Sequence, residues 1–481
     1  MTESVIKHFS FGRLVSLIVL LVGVYIGLRS FGAAIGNVYR FKCLYLLVVE
    51  VMYVVLWIKT THRFNSLFFF FLLYFMVTNG GTLILNGIDW STEIGTFAIY
   101  SYSMDLMNKA LDYQLICTAV FVTAGILFTT PKVVHQEESK PFKLISNGNF
   151  RRLKTADWVF LVISVVYISI CMQGVEMRSS MGYGDYYYSD NKVSVSLMVK
   201  YSFYVTMFYS LYNHISNRDV FRNIILLIDV ILTVLLLILG SRNEIIPMAF
   251  GIVYIFGRAG YRLSKKQSVL SIVYAFLFLF LLGLVPMLRG FSVSSINSSV
   301  VSGVFSDYGG ILSFLMEMGG SLRTTTETIA IAGGNGFKTE PTIIYTLLFG
   351  FVPTQRILDL FGFHQPQYWS LATWVTDLNG GGSGWGYSML AESYYNFKEF
   401  GVLWFIVWAF LYTRLESYLE KAFNRGSLVT AAAWLYVGSY AIFLARADTC
   451  LIAISLRYTV YLTFIFLFLG NHRLIRRTKL A

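Results

Sequence analysis

Apolar residues along this chain fall into long runs separated by short polar turns. Runs near the roughly 20 residues that a bilayer-crossing helix requires recur at 14–35, 43–58, 66–85, 114–130, 158–173, 195–212, 224–240, 245–257, 269–288, 399–413, 428–445 and 450–469. The pattern predicts an all-α, polytopic integral membrane protein with about twelve transmembrane helices. Two runs carry residues that constrain them. Glu50 lies inside 43–58; a carboxylate facing lipid is costly, so it is expected to face other helices or to be protonated. Pro247 lies in the short run 245–257, where it is expected in the first turn, whose N–H groups need no intrahelical partner.

The runs divide the chain into three parts. Residues 1–288 hold nine predicted spans, 289–398 form one large loop, and 399–481 hold the last three spans and a polar tail. A connection that long is far outside the usual range and is usually functional. Its apolar stretches at 311–318 and 343–353 are too short to cross a membrane and predict amphipathic or re-entrant helices at the membrane surface. The first run, 14–35, is too long for a cleavable signal peptide and is expected to be a signal anchor. No internal repeat or low-complexity segment stands out.

The positions of Lys and Arg orient the spans. Lys7 and Arg13 precede the first. Lys59 and Arg63 follow the second, and Lys132, Lys140, Lys143, Arg151, Arg152 and Lys154 separate the fourth and fifth. Arg218 and Arg222 follow the sixth, Arg258, Arg262, Lys265 and Lys266 the eighth, and Arg414, Lys421 and Arg425 the tenth. Arg473, Arg476, Arg477 and Lys479 close the chain. With twelve spans all these clusters share one side, which places both termini in the cytoplasm. A single miscounted helix would invert everything after it. The opposite side then receives the acidic segment 86–113, the tyrosine-rich segment 174–194 and the large loop.

Composition sharpens this picture. The 481 residues are 56% apolar, and only 13% are charged, about half the roughly 25% expected of a soluble protein. The net charge of +12 suggests a nucleic-acid partner only until its location is considered: the cytoplasmic clusters carry +16 and the rest of the chain −4. The excess therefore records orientation. Cys43, Cys117, Cys171 and Cys450 lie at the edges of apolar runs without metal-ligand spacing, and no metal or cofactor is expected.

The candidate chemistry lies on the outer side. Asp377 is followed by the glycine-rich stretch Asn379 to Gly386, which lacks the Lys-Ser/Thr of a phosphate-binding P-loop. Outside the cytoplasmic clusters the chain keeps Arg242, Arg289, Arg323, Arg356, Arg446 and Arg457. Arginine suits planar, bidentate contact with phosphate, and several at one membrane face would fit a lipid diphosphate. The competing reading of each is a snorkelling side chain or one paired with a carboxylate, Glu244 for Arg242 and Asp448 for Arg446. Of the six histidines only His364 falls outside, where it is a candidate base. Asp377, Glu392, Glu317 and Glu327 are its rivals. Glu392 and Asn396 are four residues apart and share a helix face. Tyr183, Tyr186, Tyr187, Tyr188, Tyr368, Trp369, Trp374, Trp385 and Tyr387 would stack on sugar rings or form an interfacial aromatic belt.

Gly382-Ser383-Gly384, the run from Ser388 through Ala391-Glu392-Ser393-Tyr394-Tyr395-Asn396-Phe397, and Gly401 together resemble the segment near the last periplasmic loop of Wzy-type O-antigen polymerases. Gly240-Ser241-Arg242 is similar to a short turn in these polymerases and in the related O-antigen ligases. Arg323, ten intervening residues and Gly334 match an Arg-x10-Gly spacing in such polymerase loops. The likeness in span count, orientation and late loop covers essentially the whole chain. One departure is Lys398-Glu399, where members often have glycine, so the turn into the tenth span is expected to differ.

The resemblance implies a GT-C-like enzyme of the bacterial inner membrane. It would join undecaprenyl-diphosphate-linked oligosaccharide units at the periplasmic face, transferring the growing chain to the non-reducing end of a new unit. A Wzz-type chain-length co-polymerase is an implied partner. In that scheme Arg242, Arg289, Arg323, Arg446 and Arg457 bind lipid diphosphate, His364, Glu392 or Asp377 takes the acceptor proton, and Tyr187, Trp385, Tyr394 and Asn396 hold the glycan. The rival readings are an O-antigen ligase, a lipid-linked oligosaccharide flippase or other transporter, and a structural scaffold. Transporters usually show short loops and inverted repeats, unlike this chain.

Overall fold

The computed structural model describes residues 38–63, 65–87, 102–129, 155–181, 195–215, 219–259, 318–332, 342–352, 360–362, 370–379, 386–425 and 427–461, with a few isolated positions besides. Most of these residues are helical, with no strand among them. In chain order the helices are α1 (Val38–Thr61), α2 (Leu67–Gly87), α3 (Met104–Phe128), α4 (Thr155–Met181), α5 (Leu197–Asn213), α6 (Val220–Leu239), α7 (Arg242–Arg258), α8 (Ser321–Ala332), α9 (Thr342–Phe351), α10 (Leu371–Leu378), α11 (Met389–Phe397), α12 (Val402–Asn424), α13 (Leu428–Ile442) and α14 (Thr449–Tyr461). Short 3-10 turns follow α11 at Lys398–Gly401 and α13 at Phe443–Arg446.

Among the described residues, seven helical stretches are long and apolar enough to cross a membrane: Tyr39–Thr61, Leu67–Gly87, Met104–Phe128, Thr155–Met181, Val220–Leu239, Met389–Asn424 and Leu428–Arg446. They overlie predicted spans. The runs 195–212, 245–257 and 450–469 hold the shorter helices α5, α7 and α14, and those at 14–35 and 269–288 lie outside the described residues. The chain is thus a multi-pass membrane protein. In the large loop, the predicted helix at 343–353 coincides with α9, and most of 311–318 lies outside the described residues.

Three boundaries differ from the sequence reading. α3 starts at Met104, well before residue 114, because the Ser103 side chain accepts from the Leu106 N–H and Asp105 occupies the first turn, where a carboxylate favours the helix dipole. Asp105, Lys109 and Asp112 are therefore helical, and Lys42 Nζ meets Asp112 Oδ1 at 3.2 Å. α4 continues past residue 173 to Met181, burying Arg178 in its last turn. α7 begins at Arg242, so Pro247 is an interior residue and not part of the first turn. Its missing N–H removes one rung of the ladder.

The chain divides into two compact units. One comprises residues 1–133, 318–341 and 371–413; the other comprises 134–317, 342–370 and 414–481. In the first, α1, α2 and α3 pack around a column of aromatic rings. Trp57 stacks on Phe68 at 4.0 Å, Phe68 on Phe121 at 4.3 Å, and Tyr412 leans on Phe71 at 4.8 Å. Such pairs add about 0.5–1.5 kcal/mol each beyond the area they bury. Glu50 does turn inward: it is fully buried, and Gln114 Nε2 donates to its Oε1 at 2.7 Å. Gly80 makes room for it, since a Cβ there would lie 2.8 Å from Glu50 Oε2.

In the second unit, α5 packs against α4, α7 and α13. Tyr201, Tyr204, Tyr436 and Tyr440 cluster there, with ring centroids 4.9 Å apart for Tyr201–Tyr436 and 4.8 Å for Tyr436–Tyr440. α6 leaves Leu227, Val230 and Val234 exposed, an apolar face suited to lipid. Where α4, α5 and α6 come together, His214 lies between two carboxylates. Its Nδ1 is 2.7 Å from Asp219 Oδ2 and its Nε2 3.2 Å from Asp157 Oδ2, while Ser210 Oγ donates to Asp157 at 2.6 Å. Burial alone would lower the imidazole pKa, but the two aspartates outweigh it and raise it above the ordinary histidine value.

Candidate functional site

The first unit contains a polar cluster built on α8, a helix whose only apolar run is its last four residues. Its buried threonines satisfy their hydroxyls on their own helix: Thr324 donates to Ser321 O at 2.8 Å, Thr326 to Leu322 O at 3.0 Å and Thr328 to Thr324 O at 2.7 Å. Local bonding of this kind lets hydroxyls be buried at little cost. α8 packs against α2, α3 and α11.

Arg323 and Glu327 are one turn apart on α8 and belong to the same face. The Tyr102 hydroxyl donates to Glu327 Oε2. Arg323 is half-buried, and burial lowers its pKa, partly offset by Tyr102 and Glu327. Burial and then the Glu327 hydrogen bond raise the Tyr102 phenol well above its ordinary range. A half-desolvated guanidinium interacts more strongly with an anion than one in bulk water. Nearby, Thr328 Oγ1 and the Tyr387 hydroxyl are 3.0 Å apart.

Tyr387 leads into α11, which Ser388 caps by accepting from the Ala391 N–H at 3.2 Å. Glu392, a predicted base, is fully buried in the first turn of α11. The expected shared face of Glu392 and Asn396 takes a definite form: Asn396 Nδ2 donates to the Glu392 carbonyl at 2.9 Å. Tyr394, a predicted glycan contact, is only 3% exposed; its ring meets Tyr113 edge-on at 5.1 Å, and its hydroxyl donates to Glu399 Oε1 at 3.1 Å. Lys109 pairs with the same Glu399 oxygen at 3.1 Å. Ser393 Oγ and Tyr113 share a hydrogen bond of 2.8 Å. Asp377, the third predicted base, lies exposed on α10.

The sequence departs from the family pattern at Lys398-Glu399, but the backbone there does not take an ordinary L-residue conformation. Lys398 has φ 51° and ψ −133°, a conformation that glycine adopts freely and that costs an L-residue about 1–3 kcal/mol. The turn keeps a glycine-like geometry although lysine occupies it.

The second unit holds the turn that carries Arg242. Gly240 closes α6 with φ 75°, and Ser241 N–H returns to Leu236 O at 2.9 Å. Only glycine takes this left-handed conformation without strain. Arg242 follows as the first residue of α7. Two residues on, the Glu244 carboxylate, which the sequence offers as a partner for Arg242, meets two other helices: Lys200 Nζ lies 2.5 Å from Oε1, and Tyr167 donates to Oε2. The Tyr204 hydroxyl also donates to the Glu244 carbonyl at 2.5 Å. Arg446 ends the 3-10 turn after α13 and is half-buried, and buried Asp448 accepts from Ser370 at 2.9 Å. Arg457 lies on α14 with its guanidinium 4.9 Å from the Tyr458 ring.

His364, Arg289, Arg356, Tyr187 and Trp385 lie outside the described residues. Within the first unit the fold brings Arg323, Glu327, Tyr387 and the α11 residues into adjoining helices; within the second, it surrounds the Arg242 turn with Lys200, Tyr167 and Tyr204. Tyr102, Lys109, Tyr167 and Lys200 were not singled out from the sequence. A lysine inside the apolar run 195–212 was the available signal, since an intramembrane charge is a functional candidate by default. No group of three or more potential metal ligands occurs among the described residues.

No curated protein and no solved structure matches the chain significantly. A family model described as O-antigen polysaccharide polymerase Wzy matches residues 13–478, nearly the entire length. That span takes in every helix described above, and the chain belongs to the O-antigen polysaccharide polymerase Wzy family.

Proposed function

We propose that this membrane polymerase elongates O-antigen by using undecaprenyl-diphosphate-linked oligosaccharide as both donor and acceptor, at the periplasmic face of the bacterial inner membrane. The family match over nearly the whole chain carries this reading. In the proposed topology twelve spans of a GT-C-like fold leave both termini in the cytoplasm, with 1–288 and 399–481 as helical parts around the 289–398 loop. An acceptor hydroxyl oxygen attacks the anomeric carbon of the growing chain. A new glycosidic bond forms, the bond to the lipid diphosphate breaks, and the hydroxyl proton passes to a base. The diphosphate is already a leaving group, so no nucleotide is required.

Arg242, Arg289, Arg323, Arg446 and Arg457 would contact lipid diphosphate and offset the charge developing as it leaves. Two features support this role. Arg242 begins a helix, where the dipole favours an anion, and Arg323 lies half-buried in a hydroxyl-rich cluster. His364, Glu392 or Asp377 would accept the proton. Tyr187, Trp385, Tyr394 and Asn396 would hold the glycan, and a Wzz-type partner would set chain length.

Deleting the gene and running the lipopolysaccharide on a ladder gel tests the reaction. A polymerase leaves single repeats on lipid A-core; core without repeats would instead indicate a ligase. For the base, His364→Ala, Glu392→Gln and Asp377→Asn are compared at equal protein level, and normal polymer from all three would exclude these residues.

A further inference from the structure

We propose that Glu244, clamped by Lys200, Tyr167 and Tyr204, is the positioning residue that aims the Arg242 turn at its anionic ligand. The inference rests on Arg242 being a lipid-diphosphate contact.

The first turn of α7 has little internal support. Ser241 makes no side-chain cap, and an uncapped helix start leaves N–H groups without partners and frays. A glutamate at the third position ordinarily closes a capping box by reaching back to the N-cap N–H. Glu244 occupies that position, but the Ser241 N–H is already bonded to Leu236 O. Pro247 removes a further rung three residues later.

The turn is instead held from outside. Glu244 is buried and takes three bonds from two other helices. Lys200 of α5 approaches Oε1 at 2.5 Å, Tyr167 of α4 donates to Oε2, and Tyr204 of α5 donates to the backbone carbonyl at 2.5 Å. Those anchors hold the residue two places after Arg242, so they set the direction in which α7 begins. The same contact with Lys200 gives the Glu244 carboxylate a counter-charge from α5.

A double-mutant cycle tests this. Undecaprenyl diphosphate is titrated against detergent-solubilised full-length protein as wild type, Glu244→Gln, Arg242→Ala and the double variant, with the melting temperature of each recorded. Both single variants are expected to weaken binding about tenfold, or ~1.4 kcal/mol. The double variant should bind no worse than Arg242→Ala, because Glu244 acts through Arg242. Lys200→Arg should retain affinity and Lys200→Met should lose it. Additive losses would overturn the inference while leaving the role of Arg242 intact. An unchanged affinity in Arg242→Ala would overturn the underlying reading and the inference with it. If Glu244→Gln does not fold, Tyr167→Phe carries the same cycle by removing a single hydroxyl.

Discussion

The two polar clusters are stabilised in opposite ways. Around Arg323, one helix supplies much of the bonding, its threonines donating to their own carbonyls with Glu327 a turn away, while Tyr102 and Tyr387 join from outside it. Around Arg242, nearly every partner is remote in sequence, with Tyr167, Lys200 and Tyr204 converging on Glu244. A helix that satisfies its own hydroxyls places its arginine largely through local geometry. An under-capped helix crossed by a proline depends on tertiary contacts. Substitutions should therefore affect chemistry in the first cluster and the fold as well in the second.

The largest expected effect is on activity in the first cluster. Arg323→Ala should reduce polymer about a hundredfold or more, the scale for losing a group that stabilises transition-state charge, with little change in melting temperature. Ladder-gel yield at equal protein level checks it, and near-normal polymer would dissolve the contrast. Lys200→Met should instead act on stability. It leaves a buried carboxylate without its cation, a change that typically costs about 3–5 kcal/mol, and a thermal melt should show a drop of many degrees. An unaltered melt would mean that the second cluster is no more dependent on tertiary contacts than the first.

His214 adds a pH dependence to the second unit. Its folded pKa is raised above the unfolded value of about 6.5 by Asp157 and Asp219. The stability it contributes is fully present below that unfolded value and is lost as pH rises through the folded pKa. Melting temperature should thus fall above neutrality in wild type, and the slope should flatten in His214→Gln. Asp157, Asp219, Ser210 and Phe221 are the groups that face it. A smaller effect is expected at Lys398. Lys398→Gly relieves the positive φ and should stabilise the protein by about 1 kcal/mol, less the flexibility glycine adds to the unfolded chain. Thr328→Val should cost about 1 kcal/mol by deleting the hydroxyl opposite Tyr387, which a small shift in the melt would register.

Much of the architecture was legible without coordinates, and the reasons are specific. The runs at 66–85 and 428–445 announce α2 and α13 because only a helix satisfies its backbone within one apolar segment. The inward turn of Glu50 followed from the cost of a carboxylate in lipid. The early start of α3 was missed because the cap at Ser103 and the acidic first turn look polar, and hydropathy alone assigns them to a loop. α8 was missed for a related reason: SLRTTTETIA contains too few apolar residues to register, and its burial depends on hydroxyls that bond locally. Of the candidate site, Arg323 and the Glu392–Asn396 spacing were readable because helical neighbours lie three or four residues apart.

The amino-acid sequence by itself determined the all-helical membrane character, the positions of most apolar helices and the family, since apolar periodicity and short motifs are local properties. Only the tertiary structure decided which charges answer which. The Glu244 carboxylate is held by Lys200 and Tyr167, because α5 packs against both α7 and α4 and brings those groups within hydrogen-bond reach. Pairing in a buried site is decided by distance in space, and separations of 44 and 77 residues along the chain carry no local signal of it.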